Sequence, residues 1–258
     1  MPELPDLAVY AENLMARLKG KTVQSVDYHR DARLNTSHEE LRNSVCNTSL
    51  ASVERSGKEI AFSFSNKATL FVHLMLYGKF TITPDPGSVR FRVLTIGFED
   101  GLSLVVSDHR GLVTVRVNPI PSSVPDALDV DGTYLRRKIA ERSRVRAKPF
   151  LMDQAIIRGI GNAYADEILW QARISPKSTV GKIPDHVIDD FLMSITSVLT
   201  GAIEEIKRQG PEIISGEVRG FLRVHNSKRS ESPTGYQIMK EKKGTQITYF
   251  TDEQVLYV

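Results

Sequence analysis

Two residues at the amino terminus, Pro2 and Glu3, offer the first chemistry in the chain. Initiator methionine is usually trimmed before a small residue, and trimming here leaves a secondary amine at the chain end. A free α-amino group titrates near pH ~8, so a useful fraction is an unprotonated nucleophile at neutral pH. The adjacent carboxylate of Glu3 could manage the protons of an attack on an electrophilic carbon. The same stretch also reads as a plain helix start. Pro5 fits a first turn, Leu7, Tyr10, Leu14 and Leu18 follow at helical spacing, and Gly20 stops the run.

The rest of the chain must position such a group. Its 258 residues, 41% hydrophobic, suffice for one large domain or two small ones. No apolar run approaches the roughly 20 residues of a bilayer span, and Glu3 and Asp6 stand where a secretory leader would be basic. The single cysteine, Cys46, excludes an intrachain disulfide and a multi-cysteine zinc site. A cytoplasmic protein without cofactor or metal is expected. Charge is uneven. Residues 1–131 hold 14 basic and 16 acidic side chains (net −2), leaving 20 and 15 of the totals 34 and 31 for residues 132–258 (net +5). Seven of those bases lie between Arg136 and Lys148, a run that reads as a solvated helix face or as a polyanion contact.

After the first helix, period-two stretches dominate: Ile60, Phe62 and Phe64, then Thr69–Leu76, Val89–Phe98, Leu102–Val106 and Leu112–Val117, separated by turns such as Pro84–Gly87 and Glu99–Gly101. They predict an N-terminal β-sandwich with the first helix packed on it, over residues 1–117. Residues 118–131, with three prolines, read as a linker. Helices follow, a long one from about Asp185 to Arg208, and the tail returns to strands, Tyr236–Lys243 and Thr245–Thr251, as a hairpin about Gly244. The fold class expected is α+β, with residues 132–258 as a second domain.

The densest signal is DQAIIRGIGNAYADEILWQARISP, Asp153 to Pro176. A helix ends at Gly159-Ile160-Gly161, and Asn162 is expected to cap the next, whose first amides can approach a phosphate. With PELP at the terminus, these flanks resemble the formamidopyrimidine-DNA glycosylase / endonuclease VIII family, where the segment is the helix–two-turn–helix motif. The resemblance covers most of the chain in order and spacing: PELPDLAVYAENL, RSGKE, VHLMLYG, SDHRGL, VRAKPFLMDQ, and FLRVHNSKRSESPTG followed by GTQITYFTDEQ.

The resemblance implies a base-excision-repair glycosylase with abasic-site lyase activity on oxidised or ring-opened bases. Pro2 would be the nucleophile toward C1′, Glu3 the acid/base, and Lys58 a positive charge over a phosphate. Leu76, Arg110 and Leu112 would fill the space of the extruded nucleotide, with Arg110 facing the orphaned base. Lys148 and Asn162 would contact phosphates. On residue type alone Lys58 is an exposed turn lysine, Leu76 shares a strand face with Leu74, Leu112 starts a strand, Lys148 is solvated, and His73 is a core residue or a neighbour of the site.

The sequence departs from that family's pattern at the C-terminal finger, about residues 217–258. Ser232–Gly235 and Phe250–Gln254 stand where many relatives carry paired cysteines, so a zincless finger is expected. Its apolar face would be Tyr236, Ile238, Ile247 and Tyr249, docked on the helices or on Leu256 and Tyr257. Gln246 replaces an arginine that meets phosphates, which predicts weaker DNA binding unless Lys242 and Lys243 compensate. Asp6 replaces a glutamate, and GPEIISGEVRGF is short where a loop over the flipped base is often longer. The partner expected is double-stranded DNA with damaged bases or abasic sites, bound by a monomer with no membrane. A damage- or bent-DNA-binding protein with lyase activity only, or none, is the alternative. A small-molecule tautomerase using Pro2 fits the basic second half poorly.

Overall fold

The computed structural model describes residues 1–30 and 32–258. The chain divides into two compact units: Met1–Pro121 with Ile206–Glu217, and Ser122–Glu205 with Val218–Val258.

In the first unit, helix α1 (Leu4–Leu18) buries Leu4, Leu7, Tyr10, Leu14 and Leu18, the face that its spacing predicts. Two antiparallel four-stranded sheets follow. One has β1 (Val23–Tyr28) beside β6 (Arg92–Phe98), then β7 (Ser103–Ser107) and β5 (Lys79–Thr83). The other has β2 (Leu50–Ser56), β3 (Glu59–Phe64), β4 (Thr69–His73) and β8 (Thr114–Val117) in that order. A short helix, α2 (His38–Val45), stands between β1 and β2, capped by the Ser37 hydroxyl, which accepts from the Glu40 amide. The facing sheets share one core, in which Phe62 of β3 meets Phe80 of β5 edge to face at 6.0 Å.

The strap 206–217 closes this unit. The Ser215 hydroxyl accepts from the Phe80 amide and donates to the Phe80 carbonyl, both at 2.7 Å. It thereby satisfies backbone groups of β5, an outer strand of its sheet. Asn13 of α1 donates to the Ile213 carbonyl at 2.8 Å, Lys207 pairs with Glu12 at 2.9 Å, and the Tyr10 hydroxyl donates to the Gly216 carbonyl.

Two strands are shorter than their alternation predicts. β4 ends at His73 because Met75 takes a φ of 55°, which turns the chain out of the sheet. β8 begins at Thr114, leaving Leu112 in the preceding loop.

The second unit holds α3 (Gly132–Glu141), α4 (Ala147–Met152), α5 (Asn162–Gln171), most of α6 (Asp185–Gln209) and a hairpin of β9 (Met239–Lys243) and β10 (Gln246–Phe250). The stretch read as a linker is stitched into this unit from Ser122 onward. The Arg158 amide donates to the Pro125 carbonyl and its Nε to Val124, while Ala127 and Val130 are buried. By length and composition α6 is apolar enough to cross a membrane, contrary to the run-length expectation. It buries Ile188, Phe191, Ile195, Leu199, Ala202 and Ile206 at spacings of three and four, while Asp189, Asp190 and Glu204 are exposed. That pattern is an amphipathic core helix.

Candidate active site and nucleic-acid interface

Backbone requirements at the start of α1 fix the amino-terminal residues. The first amides of a helix lack intrahelical partners. Here the Glu3 side chain accepts from the Asp6 amide, and the Asp6 carboxylate accepts from the Glu3 amide at 2.8 Å. This reciprocal box explains an acid at position 6: the shorter side chain is a helix cap. Pro2 and Glu3 are both buried, and the terminal ammonium on Met1 pairs with Glu217 at 2.5 Å.

Lys58 occupies the two-residue turn between β2 and β3, where Ser56 pairs with Glu59. Gly57 takes φ +59° at the first turn position, a requirement of a type II′ hairpin. The turn carries Lys58 into range of Glu3. Burial lowers the Lys58 ammonium below the ordinary lysine value, and the Glu3 carboxylate opposes that shift. His73, at the end of β4, is pushed down to about 4 by burial, then by the positive charges of Lys58 and Arg116. Its Nδ1 accepts from the Met75 amide at 3.0 Å, so the neutral ring carries its proton on Nε2.

Leu76 is 53% exposed whereas Leu74 is 2% exposed, so the shared strand face does not exist. The turn at Met75 places Leu76 and Tyr77 outward. The loop Asp108–Leu112 lies alongside. Arg110 has its guanidinium 5.8 Å from the Tyr77 ring centre, and Tyr77 meets His109 edge to face at 4.6 Å. Phe91, 54% exposed, flanks His109 at 6.4 Å. Leu112 is half-buried. One buried carboxylate organises this loop: Asp108 accepts from the amides of Arg110, Leu112 and Val113. Burial pushes its carboxyl upward, but those amides and His109 outweigh burial and hold it below the usual range. Leu76 and Arg110 are thus brought together through Tyr77. Tyr77, His109, Phe91 and Asp108 are additions that the sequence reading did not single out. Tyr77, Asp108 and His109 had one signal, their place in sequence beside Leu76 and Arg110; Phe91 is distant in sequence and had none.

In the second unit, Gly159 (φ 105°) and Gly161 precede α5. Gln154 shapes this turn by donating to the Ile160 carbonyl and accepting from the Gly159 amide. The cap position belongs to Gly161, and Asn162 is the first helical residue. The Asn162 side chain therefore does not cap the helix; its amide donates to the Ile247 carbonyl of β10 at 3.1 Å. Lys148 also turns to β10. It is 5% exposed, pairs with Asp166 at 2.7 Å and donates to the Thr248 hydroxyl at 2.9 Å. It is not a solvated lysine at the end of the basic run. Gln246, first residue of β10, is exposed opposite Lys243.

The finger is held by carboxylates. Asp166 accepts from the Tyr249 amide at 3.0 Å and contacts His225 Nδ1 at 2.7 Å. Glu167 accepts from the amides of Arg223, Val224 and His225. Glu253, within Phe250–Gln254, ties that segment to Ser232–Gly235, the other segment where relatives carry cysteines. It accepts from Trp170 Nε1, Ser232, Thr234 and Thr251, and pairs with Arg173 at 2.5 Å. Burial raises its carboxyl, and these donors overcome burial and bring it to about 2. Among the described residues no group of three or more His, Cys, Asp and Glu could hold a metal ion. The apolar face is Ile238, Tyr249 and Ile247 against Trp170 and Val224. Tyr236 is 50% exposed outside that cluster, because β9 starts only at Met239.

Comparison with known proteins matches residues 1–115 to the profile of the formamidopyrimidine-DNA glycosylase N-terminal domain, and residues 123–211 to the formamidopyrimidine-DNA glycosylase H2TH domain. A formamidopyrimidine-DNA glycosylase of Carboxydothermus hydrogenoformans is 33% identical over 208 residues, 79% of this chain and 78% of that protein. One from Lactobacillus johnsonii is 26% identical over the full length of both. Among solved structures, MutM in complex with carbocyclic 8-oxo-G containing DNA superimposes with a TM-score of 0.84 at 26% identity, covering 97% of this chain and 98% of that one. The Lactococcus lactis Fpg complex with abasic-site DNA gives 0.84 at 25% identity with the same coverage.

Proposed function

The chain belongs to the formamidopyrimidine-DNA glycosylase family, and on that premise we propose that Pro2, Glu3 and Lys58 carry its chemistry. The protein is a base-excision-repair DNA glycosylase and abasic-site lyase whose partner is damaged duplex DNA. The observation that carries the residue assignment is the electrostatic coupling of Lys58 to Glu3 beside a buried Pro2.

Once Met1 is removed, the Pro2 nitrogen attacks C1′ of the damaged nucleotide. The bond from C1′ to the base breaks, and its electron pair leaves with the base, which takes up a proton. Glu3 protonates the sugar ring oxygen as the ring opens, leaving an iminium between Pro2 and C1′. The iminium accepts the electron pair released when the C2′ proton is lost, and the C3′–O bond to phosphate breaks. A second elimination releases the other phosphate. Lys58 supplies positive charge where the departing phosphate gathers negative charge.

Leu76, Arg110 and Leu112 fill the space of the extruded nucleotide, with Arg110 at the unpaired base. Tyr77 supports them from beneath the Arg110 guanidinium. Lys148 and Asn162 both bond to β10, the strand that Gln246 begins, and this strand is where the reading has the second unit meet DNA. A cytoplasmic, DNA-associated location accords with the bacterial relatives.

Borohydride trapping on abasic-site DNA tests this reading. The trimmed protein is expected to form a covalent adduct that Pro2→Gly reduces strongly. A second reading, damage binding without excision, draws on the neutral, exposed Gln246. It predicts tight abasic-site binding with no adduct, and that outcome would replace the first.

A further inference from the structure

A cavity of about 440 Å³ opens in the second unit between α4 and the hairpin. Pro149, Met152 and Pro176 form its apolar part. Four cations line it, Arg146, Lys148, Lys177 and Lys243, against two carboxylates, Asp153 and Glu241. Two of the cations are already matched. Lys148 is turned inward to Asp166 at 2.7 Å, and Lys177 pairs with Glu241 at 2.6 Å. Asp153 accepts from the Ala155 amide at 2.9 Å. Arg146 and Lys243 are both exposed, and among the described residues neither has an ion-pair partner. Both still act on the same spot, because their charges, after the hydrogen bond and charge of Lys177, help hold the Glu241 carboxyl below its ordinary value.

Counting Asp166 with the lining groups, four positive charges face three negative ones, so the cavity keeps a surplus of one positive charge. One phosphodiester carries one negative charge. Gln246, on the same lining, adds amide donors without charge. The apolar part suits the carbon face of a deoxyribose. We propose that Arg146 and Lys243 grip a backbone phosphate of the bound DNA in this cavity and supply the charge missing at Gln246. The inference rests on the proposed DNA-repair reading. It assigns the grip to the outer pair, because the Lys148 ammonium is already spent on Asp166 and Thr248.

The test is the salt dependence of affinity of the full chain for a duplex holding an abasic-site analogue. Each phosphate contact contributes about 0.9 to the slope of log affinity against log salt. Because both side chains meet one phosphate, Arg146→Gln and Lys243→Gln are each expected to flatten that slope by less than about 0.9, and the double variant by about 0.9. Lys228→Gln, at an exposed lysine that lines a different cavity, is expected to leave it unchanged. Both target side chains are exposed, so melting temperatures should match the parent. A double variant with the parent slope would overturn the proposal. Borohydride trapping of the parent in parallel separates the cases: an adduct with an unchanged slope sinks only this inference, whereas no adduct and no abasic-site binding sinks the underlying reading.

Discussion

Lys148 and Asp166 form a 2.7 Å ion pair with both side chains almost sealed from solvent, and the same carboxylate holds His225 and the Tyr249 amide. The pair joins α4, α5 and the finger at one point. Removing one partner of a buried pair leaves an uncompensated charge and costs about 3–5 kcal/mol. Asp166→Asn is therefore expected to lower unfolding free energy by about that amount in urea titrations. A loss below about 1 kcal/mol would show that the finger is held elsewhere.

Glu253 makes the finger acid-sensitive. Its folded carboxyl lies at about 2, below the ordinary 4.5, so its contribution is complete above about 4.5 and is lost as pH falls toward about 2. The single tryptophan, Trp170, donates to this carboxylate and reports on it directly. Its fluorescence should titrate in that window, and Glu253→Gln should abolish the transition. A chelator should leave DNA binding unchanged, since carboxylate hydrogen bonds stand where relatives are expected to use thiolates.

Lys58 should impose an early alkaline limit. Burial lowers its pKa, so the positive charge is lost at lower pH than for an ordinary lysine. Cleavage of abasic strands is expected to fall on the alkaline side before free lysine would titrate, and Lys58→Arg should move that fall upward. Lys58→Gln should slow cleavage by roughly 10²–10³-fold at neutral pH. A flat alkaline profile in the parent would remove Lys58 from the reaction.

His73 adds a stability term of definite sign. The folded ring resists protonation down to about 4, whereas the unfolded chain takes up a proton near 6.5. Stability should therefore decline as pH drops from about 6.5 to about 4, and His73→Phe should remove that part of the decline. An unaltered pH–stability curve in the variant would assign the decline to other groups.

Leu76 and Gly78 separate function from folding within one turn. Leu76 is 53% exposed, so Leu76→Ala should change stability by no more than about 0.5 kcal/mol while weakening excision from duplex DNA. A Cβ at Gly78 would meet the Leu74 carbonyl at 2.4 Å and Val113 at 2.6 Å. Backbone must shift there, so Gly78→Ala should cost about 1–3 kcal/mol. Equal melting of the two variants would contradict this division.

Much of the architecture was legible because it rests on short-range rules. The α1 face, the sandwich strands about Phe62 and Val105, and the hairpin at Gly244 follow from periodicity and turn chemistry. The proximity of Glu3 and Lys58 came only from resemblance, because no spacing rule joins residues 55 positions apart. Leu76 shows the limit of alternation: one left-handed residue, Met75, reverses a side chain's exposure without any change in hydrophobic pattern.

By itself the sequence determined the α1 face, the strands about Phe62 and Val105, the hairpin at Gly244, the missing thiolates and the uneven charge, since each depends on residue type and near neighbours. Only the tertiary structure decided which charges are matched. It turned Lys148 inward to Asp166, gave Asn162 to β10 instead of a helix cap, and set Glu253 among five donors. The reason is that burial cost and ion pairing depend on what distant segments bring within a few ångströms, which local order along the chain does not encode.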